Sequence, residues 1–453
     1  MGSPIENLPV ELLVDIFIES QIKDKSPFEN VIEECQRPVT NWVPLMLVCR
    51  LFRDVIVDVP GLWSRLPVTN NLIALQRRLF RSQVSPLDLL FSVSCESALP
   101  FLLPHAPRIR AIVTTPRFHI NLLPSLIPLL GRYLPALECV YIVPKMSLDF
   151  DSKEWSKLRA VSPVLNEAAH PRVKTVASYQ LLLPPKQSGF WSQNLFHLDI
   201  RAQYAGIPAD IRDDILAVLR ATLRLESLAI TFPEHALHPD YWVEMAGDTP
   251  ASFLIHPPRE PALLLRLRTF TLVGPAWLSG PVLHDIEAPS PEKLYVQTKG
   301  YSRPDTAKTI AAMFPERLRR ILAQHTRLHI HAAPSDSRGF RIGDCHCDGG
   351  RISSDRLYLR VQDDCGLYSA SRVLCQVFGE ALLETLEVNY FERQGRDLCG
   401  VWKPVLETFP RLRKVTLYGN DQKSGAAMVD AIEGLQREGL NPEMELVMES
   451  APW

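Results

Sequence analysis

The chain has 453 residues, 46% of them hydrophobic and 22% charged, with a formal net charge of −2 at pH 7. Length and apolar share predict a folded protein of two or three domains, and the near-neutral balance excludes a global field that would attract nucleic acid. Nine cysteines, an odd number without framework spacing, suit a reducing compartment, so the expected location is cytoplasm or nucleus.

The opening stretch 5–18 is punctuated by Glu6, Glu11 and Asp15, unlike a signal peptide, and no run of about eighteen apolar residues predicts a membrane span. Pro9 stands where a helix begins, because it has no N–H to lose there. Glu11 then lies in the first turn, and Leu12, Leu13, Ile16 and Phe17 recur as one apolar stripe. A second helical block follows, with Thr40 or Asn41 as N-cap and Pro44 in its first turn. Phe52, Val55, Ile56 and Val59 extend its apolar face until Pro60-Gly61 stops it. Three short helices in about sixty residues make a small core, the kind that borrows burial from a partner.

The phrase Leu8-Pro9-x-Glu11-Leu12-Leu13-x-x-Ile16-Phe17, then Leu45-x-x-Val48-Cys49-Arg50-x-Phe52-Arg53, then Pro60-x-Leu62-Trp63 resembles the F-box. In style it looks like the F-boxes of filamentous fungi. Residues 21–40 form a longer and more polar insertion than that family usually has. The resemblance implies docking on a Skp-type adaptor and, through it, on a cullin. It makes Leu8, Pro9, Leu12, Leu13, Ile16, Phe17, Val48, Cys49 and Phe52 candidates for that contact or for the core behind it. The competing reading of the same residues is a helical cap of the larger domain.

A helix is predicted over 71–83, with Leu72, Leu75, Leu79 and Phe80 on one face and Arg77, Arg78 and Arg81 outward. From about residue 85 one phrase recurs: apolar, two variable, apolar, one variable, apolar. Leu137-x-x-Val140-x-Ile142, Leu195-x-x-Leu198-x-Ile200, Leu225-x-x-Leu228-x-Ile230 and Leu267-x-x-Phe270-x-Leu272 are complete copies. Leu383-x-x-Leu386-x-Val388 and Leu412-x-x-Val415-x-Leu417 complete the set, and Leu294-x-Val296, Leu328-x-Ile330 and Leu357-x-Leu359 carry its tail. The closing pair alternates as a half-buried strand does. Central positions 328, 357, 386, 415 and 444 recur every 29 residues, with helical patterns between them. One strand and one helix per unit resembles irregular leucine-rich repeats. An ordinary α/β domain with accidental periodicity is the alternative.

The predicted fold class is therefore α/β: a three-helix F-box module (1–66), a linker helix (67–84) and a leucine-rich-repeat solenoid (85–453) with a curved, mostly parallel sheet and outer helices. In such a solenoid the variable strand positions line an exposed sheet face. Asp199, Arg201, His329, His331, Tyr358, Arg360, Glu387, Asn389, Thr416 and Tyr418 are the candidates there for holding a client protein.

Catalytic signatures are missing: there is no P-loop phrase, no Gly-x-Ser-x-Gly, no His-Glu-x-x-His and no Gly-x-Gly-x-x-Gly. The Gly-rich stretch 331–356 reads as a solvated loop. Its Cys345, His346 and Cys347 lack the spacing of a zinc site. Arg317, Arg319 and Arg320 read as the outer face of a helix. The reading is a substrate-recognition subunit of a Skp–cullin–F-box ubiquitin ligase, with no catalytic residue, cofactor, membrane or nucleic-acid partner. A repeat scaffold with no role in ubiquitin transfer is the first alternative. An enzyme with a metal centre at Cys345, His346 and Cys347 is the second.

Overall fold

The computed structural model describes residues 8–19, 42–92, 96–115, 118, 120–143, 165, 167–179, 194–201, 209–232, 260–274, 276–289, 291–299, 306–332, 340–348, 351–362, 366–390, 399–418, 422–437 and 444–449. The insertion 21–40, the expected caps Thr40 and Asn41, and Cys365 lie outside them. The chain divides into two compact units: Met1–Arg201 with Ala209–Leu225, and Ala202–Pro208 with Glu226–Trp453.

The first unit opens with helices α1 (Val10–Glu19), α2 (Val43–Met46) and α3 (Arg50–Asp58), closed by a 3-10 turn over Pro60–Trp63. It continues through β1 (Arg65–Val68), α4 (Leu72–Arg81), β2 (Leu87–Phe91) and α5 (Leu99–Leu102). Next come β3 (Ile109–Thr114), α6 (Ile127–Leu130), β4 (Cys139–Ile142), β5 (Thr175–Tyr179), β6 (His197–Arg201) and α7 (Ala209–Ala221). Strands β1 to β6 lie side by side in chain order, and each pairs parallel with the next. The sheet thus starts at residue 65, and the stretch 67–84 supplies the end of its first strand and the helix after it.

The recurring phrase sets the register. Leu66, Leu89, Ile112, Val140, Val176 and Leu198 are successive Cα partners, each at most 2% exposed. Three places earlier, Ile109, Leu137, Val173 and Leu195 are buried as well. Turn bonds repeat with it: Glu138 N–H donates to the Arg110 carbonyl, Lys174 N–H to that of Glu138, and Phe196 N–H to that of Lys174.

The second unit runs β7 (Ser227–Thr231), β8 (Ala262–Leu263), β9 (Thr269–Val273), α8 (Ala276–Asp285), β10 (Ile286–Glu287), β11 (Lys293–Lys299), α9 (Thr306–Met313) and α10 (Glu316–Leu322). It ends with β12 (Arg327–Ala332), β13 (Phe340–Asp348), β14 (Arg351–Gln362), α11 (Gly366–Phe378), β15 (Thr385–Tyr390), α12 (Cys399–Thr408), β16 (Lys414–Tyr418), α13 (Gln422–Arg437) and β17 (Glu445–Glu449). Its main strand order is β7-β9-β11-β14-β13-β12-β15-β16-β17, while β8 and β10 pair only with each other. Leu228, Phe270, Leu294 and Leu357 are register partners in one stretch, and Leu328, Leu386 and Val415 in another.

Two expectations change here. The stretch read as a loop is largely strand: β13 pairs antiparallel with both β12 and β14. Gly349-Gly350, between β13 and β14, is a strong hairpin signal that resembles loop composition when taken alone. The hairpin also breaks the 29-residue regularity. Leu357 pairs with Leu294 rather than Leu328, and Val415 pairs with Leu446 rather than Met444. The mixed α/β architecture with a mostly parallel sheet is consistent with a repeat solenoid.

Arg317 has a structural task. Its Nη2 donates to the carbonyls of Leu283, His284 and Ile286, at and just beyond the C-terminal end of α8. A cation there satisfies carbonyls that the helix leaves open.

Candidate functional site

The apolar stripe of α1 serves two surfaces. Leu13 and Phe17 are each 1% exposed and pack with Trp42, Val55, Ile56, Leu62 and Trp63. Phe17 also meets Phe52 edge-to-face, with ring centroids 4.9 Å apart. Two indoles lock this core: Trp42 Nε1 donates to the Leu62 carbonyl at 2.8 Å, and Trp63 Nε1 to the Ile56 carbonyl at 2.6 Å. A buried N–H without such a partner costs about 1–3 kcal/mol.

Leu12 and Ile16, one position before each core residue, turn about 100° away and stay half exposed at 49% each. Val10 is exposed beside them, and Pro9, also exposed, precedes the helix and accepts the Leu13 N–H. Leu8 is partly buried against the core.

The block 42–58 is two helices rather than one. Trp42 occupies the α2 cap position without a side-chain cap bond, and Pro44 falls in the first turn as expected. Between α2 and α3 a turn presents Leu47 and Val48, which are 80% and 62% exposed. Cys49 then caps α3, its Sγ accepting the Phe52 N–H at 3.4 Å. Leu12, Ile16, Leu47 and Val48 are thus apolar side chains that this core leaves uncovered. Leu47, the most exposed of them, escaped the sequence reading because it belongs to no helical stripe.

On the sheet the expected client-binding positions behave differently. Asp199 is buried at 6%, where Arg201 Nη2 donates to its Oδ2 at 3.2 Å. Arg201 also reaches the Tyr141 hydroxyl at 3.4 Å. Burial pushes the Asp199 carboxyl above its ordinary value, and Arg201 partly opposes this. Glu387 is buried and ion-paired with Arg327; Thr416 is buried and Tyr418 half-buried. The backbone alone is described at His329, His331, Tyr358, Arg360 and Asn389. It pairs His329 with Glu387, His331 with Asn389 and Gly343 with Tyr358. Asp199 and Arg201 belong to the first unit and the others to the second.

Cys345, His346 and Cys347 occupy consecutive positions of β13, paired with Ser354, Ser353 and Ile352. Alternation along a strand separates position 346 from 345 and 347. Among the described residues no group of three or more His, Cys, Asp or Glu is placed to hold a metal, and no helix is long and apolar enough to cross a membrane.

With this geometry in hand, comparison with known families gives one match. An F-box-like family model covers residues 5–67. The N-terminal module is an F-box-like domain. The match spans α1 to α3, the closing turn and the first residues of β1, and so takes in both the indole-locked core and the exposed set. No curated protein matches the chain.

Proposed function

We propose that this chain is the substrate-recognition subunit of a Skp–cullin–F-box ubiquitin ligase. In this reading Leu8, Pro9, Leu12, Ile16 and Val48 contact a Skp-type adaptor. Leu13, Phe17 and Phe52 hold the shape behind that contact, and Cys49 fixes the start of α3. The strand-and-helix units act as an irregular leucine-rich-repeat domain that holds a client protein. The chain carries no catalytic step of its own. It raises the local concentration of client lysines at the ligase, in the cytoplasm or nucleus. The observation that carries the reading is the apolar set left uncovered on a module that matches the F-box-like family.

The test is co-purification with a Skp-type adaptor, comparing wild type with Leu12→Asp/Ile16→Asp. Both side chains lie outside the core, so the variant keeps its fold. Burying two unpaired carboxylates at the contact costs several kcal/mol, enough to abolish micromolar binding. Retained binding by the variant, or no binding by wild type, rejects the ligase reading and leaves a repeat scaffold.

A further inference from the structure

Helix α4 carries a second uncovered apolar surface that the adaptor reading does not use. Its sequence pattern predicts Phe80 on the buried face; instead Phe80 is 84% exposed, while Leu75 and Leu79 take the interior. Ile73 and Val84 are 64% and 90% exposed. Positions 73 and 80, seven apart, lie on one outward stripe of α4, and Val84 follows in the turn beyond the helix end.

The turn that presents Val84 is braced. Gln83 has φ +44°, in the left-handed region that a non-glycine residue adopts at a cost. Its N–H donates to the Phe80 carbonyl at 3.3 Å. Arg108 Nη1 holds the turn from below, donating to Ser82 Oγ at 3.1 Å and to the Ser85 carbonyl at 2.7 Å. A fixed, strained turn therefore projects an apolar side chain into solvent.

Charge says what fits the stripe. Helix α4 contains Arg77, Arg78 and Arg81 and no carboxylate. Arg78 and Arg81 sit over the Trp63 ring at 5.9 and 4.4 Å, which leaves Arg77, exposed beside Ile73 and Phe80, to meet a partner. A second copy paired about a two-fold axis on this stripe would bring Arg77 against Arg77. An anionic bilayer calls for several basic side chains or a larger apolar face.

We propose that the outward face of α4 and the turn after it dock an acidic amphipathic helix of a client protein, its apolar side chains against Phe80 and Val84 and a carboxylate on Arg77. This surface is independent of the adaptor contact.

The probe is a fluorescein-labelled synthetic helix of roughly 15 residues, about four turns, with leucines on one face and glutamates elsewhere. A matched peptide has lysine in place of glutamate. Anisotropy titrations use the full chain, as wild type, Phe80→Ser/Val84→Ser and Arg77→Glu. The expected result is saturable binding of the acidic peptide to wild type, at least about tenfold weaker on the double variant, with Arg77→Glu switching preference to the lysine peptide. The mutated side chains are exposed, so an unchanged melting temperature is expected; should the double variant unfold, the Arg77→Glu reversal decides. The proposal is overturned by no saturable binding, or by equal binding of both peptides. It is overturned equally by phosphatidylserine vesicles that sediment wild type alone, by a dimer lost in the variant, or by loss of adaptor co-purification in the variant.

Discussion

Helix α1 and strand β3 are built from similar apolar residues and treat them in opposite ways. In β3, Ile109, Ala111, Ile112, Val113 and Thr114 are all buried, on both faces of the strand. In α1, Leu13 and Phe17 are buried while Val10, Leu12 and Ile16 remain exposed. A parallel strand inside a sheet has neighbours on both sides, and its apolar residues find cover within the chain. A helix in a small module finds cover for one face only. The difference marks where apolar side chains are covered within the chain and where they are left exposed.

The sharpest way to test that contrast is to shorten one side chain of each kind. Leu198→Ala, in the buried ladder, leaves a cavity beside its register partner Val176 and is expected to cost about 2–5 kcal/mol; Phe17→Ala in the helical core is expected to cost about 3–5 kcal/mol. Ile16→Ala, one residue away, should stay within about 0.5 kcal/mol, because its side chain is already half in water. Urea unfolding of the three variants checks this. Equal losses at Phe17 and Ile16 would mean that both faces of α1 are covered within the chain.

A smaller effect probes the join between the module and the strand run. Trp63 belongs to the helical core yet lies beneath Arg78 and Arg81 of α4. Trp63→Phe keeps most of the apolar volume but leaves the Ile56 carbonyl without the indole donor. The expected loss is about 1–2 kcal/mol in thermal or urea unfolding, from the bond together with a weaker cation–π contact.

The same contrast explains what the sequence disclosed. The strand register was legible because the phrase places an apolar residue at each position that must face the interior. Leu228 aligns with Phe270, and Leu386 with Val415, in the recurring phrase, and each pair are partners in space. The module was legible because Leu13, Phe17 and Trp63 mark a helical core in very few residues. Three features stayed hidden. The interval of 29 between Leu328 and Leu357 equals that between Leu357 and Leu386, yet an antiparallel strand lies between β12 and β14. Spacing carries no information on strand direction. Phe80 was assigned to the interior because hydrophobicity cannot say which side of a wide stripe is covered. Asp199 and Glu387 were expected on an open face because they occupy variable positions of the strand phrase; each is buried with an arginine partner. Sequence shows the charge and not the neighbour that makes its burial tolerable.

Asp199 gives the smallest effect and the one that depends on pH. Burial raises its carboxyl above the ordinary aspartate value, with Arg201 pulling the other way. Across the interval between the unfolded and folded values, the folded chain holds a proton that the unfolded chain has released. Stability therefore falls as pH rises through that interval. The burial cost is absent below the unfolded value and fully present above the folded one. Asp199→Asn has no proton to lose, so its unfolding midpoint should lack this decline as pH rises above the ordinary aspartate value. Thermal melts of both proteins across that range are the measurement. If the pH slope is the same in both, the ion pair with Arg201 outweighs desolvation, and the carboxylate stays charged throughout.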